Sequence, residues 1–108
     1  MSTDLQLAFQ LADIADATTL KSWSPTGVRS TAKADGSPVT DADIEAEQAM
    51  RTHLLASCPA DGFVGEEIGE IIGTSGRRWI VDGIDGTRFF ASGQRTWGTL
   101  VALEREVQ

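Results

Sequence analysis

The chain is 108 residues long, enough for one small domain, with an ordinary hydrophobic content of 41%. Acidic residues outnumber basic ones 16 to 9, for a net charge of −7. That balance argues against non-specific binding to nucleic acid or to an anionic membrane, since both need a basic face.

Residues 3–22 read as a helix. Thr3 followed by Gln6 is a capping-box pattern. Leu7, Leu11, Ile14 and Ala15 make one apolar stripe, and Leu5, Phe9 and Ala12 widen it, which predicts burial on more than one side. The helix should end before Pro25 and Gly27. Residues 24–39, "SPTGVRSTAKADGSPV", read as a loop or loose hairpin closing on a "DGSP" turn, and the length marks it as functional. Residues 41–57 read as a second helix capped by Thr40, with Ile44, Ala46, Met50, His53, Leu54 and Ser57 near one face. Pro59 and "ADG" stop it.

"GFVGEE" is then a short strand candidate, followed by a linker with glycines at 69, 73 and 76. "RWIVD" reads as a second strand whose apolar run fits cover on both faces. Residues 87–92 fit a short helix, and "WGTLVAL", 97–103, a third strand. The fold class is therefore α/β. The chain stops soon after a strand, and a sheet begun without its cover is expected to belong to a longer protein.

Cys58 is the single cysteine; it cannot form an internal disulfide and reads as a structural thiol in a reducing cytoplasm. No apolar run approaches the ~18 residues of a membrane span. The start, "MSTDLQLAF", lacks the basic and apolar regions of a signal peptide.

Three acidic clusters carry the candidate chemistry: "VTDAD" (39–43), "GEE" (65–67) and "DGID" (82–85). Each sits where the chain enters or leaves regular structure, as ligand-binding residues of open α/β sheets do. Gly83 lets the chain turn after Asp82, which can bring Asp85 back beside it with the Ile84 carbonyl exposed. Two carboxylates and a carbonyl are hard oxygen donors suited to Mg²⁺; without a cation, two close carboxylates repel and one must protonate. After Asp85, Gly86 and Thr87 open a helix whose first amides can take an anion. Spacing alone also allows a plain Asp-Gly turn. Glu66 and Glu67 are either solvated or added ligands, and Asp43 is either a helix-capping acid or a group that orients water. Arg88 and Arg95 are either surface charges or contacts to a second anionic group, while Trp23, Trp79 and Trp97 read as packing residues.

In this order, "DGSPVTDAD", "DGFVGEE" and "WIVDGIDGT", followed by "WGTLVALE", resemble the inositol monophosphatase family of Mg²⁺-dependent sugar and metabolite phosphatases. The likeness covers nearly the whole chain, but matches only the N-terminal part of a single Mg²⁺-dependent phosphatase domain. The segment "RFFASGQRTWGTL" looks closer to bacterial members, including histidinol-phosphatase-like ones.

The resemblance implies a layered α+β sandwich of the sugar-phosphatase type and two or three Mg²⁺ ions. It implies Glu66, Asp82, the Ile84 carbonyl and Asp85 as metal ligands, and Gly86 and Thr87 as phosphate holders. Asp43 and Thr87 would activate water, with Lys33 near the site and a third ion. The implied partner is a small phosphorylated metabolite, inositol monophosphate or histidinol phosphate, and a homodimer of the full-length protein stays open. A catalytically incomplete, metal-binding fragment is the competing reading. Two departures stand out. Gly83 replaces the family's usual proline, which implies a looser site. No Trp-Asp motif follows residue 87, so the aspartate that completes the second metal site is missing.

Overall fold

The computed structural model describes residues 3–105. Helix α1 (Asp4–Ser22) starts on the expected capping box: Thr3 accepts the Gln6 amide at 3.1 Å, and Gln6 Oε1 accepts the Thr3 amide at 2.9 Å. Strands β1 (Thr31–Ala32) and β2 (Pro38–Val39) pair antiparallel, so the glycine- and serine-rich stretch is a small hairpin. Its turn is tied by Asp35 Oδ1, which accepts from the Ser37 amide and hydroxyl. Helix α2 (Asp41–Ser57) begins on a second capping box, between Thr40 and Asp43.

The main sheet has four strands in the order β4-β3-β5-β6. Strand β3 (Gly62–Gly65) runs parallel to β5 (Arg77–Asp85), while β4 (Gly69–Ile71) and β6 (Gly98–Arg105) flank them antiparallel. The pairing of β5 with β6 is regular from Arg77 to Asp82 and then breaks before Asp85. Helix α3 (Thr87–Ala91) follows β5 directly.

Helices α1 and α2 pack on each other and on one face of this sheet. Leu7, Leu11, Ala15, Ala46, Met50 and Leu54 meet Phe63, Trp79 and Val81 there. Each large side chain buried in this way contributes roughly 1.5–3 kcal/mol of transfer free energy. A smaller cluster of Ala42, Ile84 and Phe90, backed by Trp23, Val28 and Trp97, lies beneath α3, with the Phe90 and Trp97 rings edge to face at 4.8 Å.

Several expectations change. Leu5 and Phe9 do not widen a buried stripe; they are 65% and 63% exposed. Each lies two residues from Leu7, about 200° around the helix, so it points away from the face that α2 and β6 cover. On α2, Ile44 and Ser57 face outward, and the buried row is Ala42, Asp43, Ala46, Glu47, Met50 and Leu54. The expected glycine linker contains β4, which the turn at Gly69 (φ +88°) sends back along β3. Among the described residues, helices cover strand β5 on one face. Register places Val64, Ile80 and Ala102 side by side on the other, next to Leu100, and Leu100 and Ala102 are exposed.

Candidate functional site

The three acidic clusters meet at one end of the sheet. A cleft of about 420 Å³ is lined by Lys33 from the hairpin, Glu66 and Glu67 from the β3–β4 turn, Asp82 and Ile84 from β5, and Gly86 and Thr87 at the start of α3. Ser37, Pro38, Arg88 and Phe89 complete its wall. Arg95 lies elsewhere, its guanidinium 5.6 Å from the Trp23 ring centre.

Asp43 caps its helix and also reaches the cleft, because its two oxygens have different partners. Oδ2 accepts the Thr40 amide at 2.8 Å and the Thr40 hydroxyl at 2.6 Å, which caps α2. Oδ1 accepts the Thr87 hydroxyl at 2.7 Å. Thr87 Oγ1 also lies 3.2 Å from the Ile84 carbonyl, but it has one proton, and the shorter bond to a carboxylate is the stronger. Asp43 is buried, so this contact links the core of α2 to the cleft.

Asp82 is half-buried, and its carboxyl is pushed up to about 7, first by burial, then by the charge of Glu66 and to a lesser extent that of Asp85. The Ile84 amide, 3.2 Å from Asp82 Oδ1, pulls the other way. Asp85 itself is exposed at the end of β5 and does not line the cleft. Among the described residues, no three His, Cys, Asp or Glu side chains stand close enough to hold one ion together. The donors nonetheless fit a hard divalent cation in kind: all are oxygens, and the crowding at Asp82 is what a cation would relieve.

Lys33 is in the cleft, as expected, but its ammonium is engaged by Glu67 at 2.9 Å, and this pairing raises its pKa. Gly86 adopts φ +92°, the left-handed conformation that turns β5 into α3, and its carbonyl takes the Phe89 and Phe90 amides. The turn expected at Gly83 falls later, at Gly86; Gly83 lies within the irregular end of β5, has no positive φ, and has a packing role instead. A Cβ there would lie 2.8 Å from the Ala46 Cβ, so glycine lets β5 approach α2 closely.

Sequence reasoning missed Glu47. It is fully buried in α2, and its carboxylate accepts the amides of Glu67 (2.9 and 3.0 Å) and Ile68 (3.0 Å) in the β3–β4 turn. Burial raises its pKa, and the bonds from those two amides oppose the rise. The available signal was a glutamate one helical turn after Asp43, within the row of Ala42, Ala46, Met50 and Leu54.

The model of the inositol monophosphatase family matches residues 1–107. The chain belongs to the inositol monophosphatase family. Among relatives of this family member, the histidinol-phosphatase of Chlorobaculum parvum is 44% identical over 106 residues, covering 98% of this chain and 41% of that protein. A Streptomyces griseus protein named glucose-1-phosphate thymidylyltransferase is 49% identical over 108 residues, covering 94% of this chain and 39% of its own length. The solved structure of extragenic suppressor protein suhB from Bartonella henselae superposes with a TM-score of 0.87 at 31% identity, over 97% of this chain and 42% of that one. The chain thus spans about two fifths of the length of the relatives it matches. The α/β fold expected from the sequence is the family's fold.

Proposed function

We propose that the protein is a Mg²⁺-dependent phosphomonoester hydrolase for a small phosphorylated metabolite, and that these residues are the N-terminal part of its single catalytic domain. The observation that carries the reading is the Thr87–Asp43 hydrogen bond, 2.7 Å long, at the edge of an acidic cleft. A buried carboxylate that holds a threonine proton leaves the hydroxyl lone pairs free to accept from water. Thr87 would orient that water toward phosphorus, and Asp43 would take the proton through Thr87.

Glu66, Asp82 and the Ile84 carbonyl in the cleft would hold the ions, joined by Asp85 from the exposed end of β5, and the amides of Gly86 and Thr87 would donate to phosphate oxygens. Two or three bound Mg²⁺ ions would supply the positive charge that an anionic substrate needs beside so many carboxylates, and would make water more acidic. Lys33 would add one more cation from the hairpin. The unpaired Cys58 suits a reducing, cytoplasmic setting.

Histidinol phosphate is the first substrate to try, because the Chlorobaculum parvum relative carries that name over almost the whole of this chain. Inositol monophosphate is the second. In the parent protein, phosphate release should require Mg²⁺, and Asp85→Asn should lower it about a hundredfold or more. A variant that releases phosphate at the wild-type rate would sink the mechanism. The same assays, run with glucose 1-phosphate and deoxythymidine triphosphate, should yield no nucleotide sugar.

A further inference from the structure

Glu47 stands out because a fold has no need of a carboxylate there. Apart from Asp43, its neighbours along the buried row of α2 are apolar, and a Met or Leu would fill the same space without the cost of burying a charge. What it contacts is specific. The turn from β3 to β4 has three residues, Glu66, Glu67 and Ile68, between the paired Gly65 and Gly69. All three turn amides are engaged: Glu66 donates to the Val81 carbonyl at 3.3 Å, and Glu67 and Ile68 donate to Glu47. The turn is thereby fixed to β5 on one side and to α2 on the other.

Two glycines make room for this contact. A Cβ on Gly65 would overlap Glu47 Oε1, and one on Gly83 would meet the Ala46 Cβ at 2.8 Å, holding β5 off the segment of α2 that carries Glu47. Neither residue has a positive φ, so the requirement is space rather than conformation. One turn earlier on the same helix, Asp43 holds Thr87. A single rigid element therefore sets the two sides of the cleft: the Glu66 turn through Glu47, and the start of α3 through Asp43.

We propose that Glu47 is a positioning residue for the cation site: its carboxylate holds the Glu67 and Ile68 amides so that Glu66 stands across the cleft from Asp82. This rests on the reading of the cleft as a cation site. The proposal assigns the role to the reach of the acceptor: Oε1 receives both amides, and Oε2 shares that of Glu67.

The test is Mn²⁺ binding by calorimetric titration, together with amide hydrogen exchange at Glu67 and Ile68, in the parent protein as wild type, Glu47→Gln and Glu47→Asp. Glutamine keeps an oxygen at the same reach and should bind Mn²⁺ within about threefold of wild type. Aspartate keeps the charge but is one methylene short; it should bind roughly 10–100-fold more weakly, as expected for loss of an outer-shell partner. Its Glu67 and Ile68 amides should exchange faster, while its far-ultraviolet circular dichroism stays that of the wild type. Equal binding by the folded Asp variant overturns the proposal, and so does a Gln variant as weak as Asp. A wild-type parent protein that binds no Mn²⁺ fails earlier, at the proposed function, and takes this role with it.

Discussion

Asp82 and Gly83 are adjacent on β5 and lead to separate experiments. Burial and then Glu66 hold the Asp82 carboxyl at about 7, against 3.8 for an ordinary aspartate. A group whose pKa is raised by folding stabilises the protein fully below its unfolded value, and loses that contribution as pH rises through its folded value. The metal-free chain should therefore lose stability from about pH 4 to pH 7 through this residue. Thermal melts across that range should fall more steeply for wild type than for Asp82→Asn, and Mg²⁺ should restore the wild-type melt at the upper end. Asp4 has the opposite sign: its bonds from Arg77 and then Arg105 hold it at about 2, so its contribution is lost as pH falls below about 4. Gly83 implied a looser turn when read from the sequence, but it lies within β5, and its close approach to Ala46 gives it a packing role instead. Gly83→Ala should cost about 1–3 kcal/mol by overpacking against Ala46. Adding Ala46→Gly should recover part of that loss despite the ordinary penalty for glycine in a helix, giving a non-additive cycle in denaturant unfolding.

Helix α2 is the element on which the site is built. Its N-cap, Thr40, is buried and bonds Asp43 through both its amide and its hydroxyl. Thr40→Ala should destabilise the chain by about 1–2 kcal/mol, a fall of several degrees in melting temperature, and should free Asp43 from one of its anchors. Both helices were legible because caps and apolar spacing are local signals. Thr3–Gln6 and Thr40–Asp43 are three residues apart, and each pair satisfies its own helix end. Strand β4 was not legible. Its three residues, Gly-Glu-Ile, have no alternation to read, and they become a strand because β3 lies beside them. Glu47 was missed for the same reason: its partners are 20 and 21 residues away.

At the scale of the whole molecule, the sheet divides the chain into a packed side and an open one. The helices cover Trp79 and Val81, while Leu100 and Ala102 remain exposed next to Ile80. Replacing Leu100 and Ala102 with lysine should therefore lower the binding of a hydrophobic dye while leaving the melt nearly unchanged, since exposed positions usually contribute no more than about 0.5 kcal/mol each. A clear loss of stability would mean that this face is packed in solution. The sequence by itself determined the two helices, the capping residues, the α/β class and the identity of the three acidic clusters. These are matters of local hydrogen bonding, side-chain periodicity and residue type. The tertiary structure alone decided that Asp43 reaches Thr87 while still capping its helix, that Lys33 is taken up by Glu67, and that Glu47 anchors the turn bearing Glu66. Each of those contacts joins segments 20 to 44 residues apart, and only packing of α2 and the hairpin against the strand ends brings their atoms within hydrogen-bonding distance.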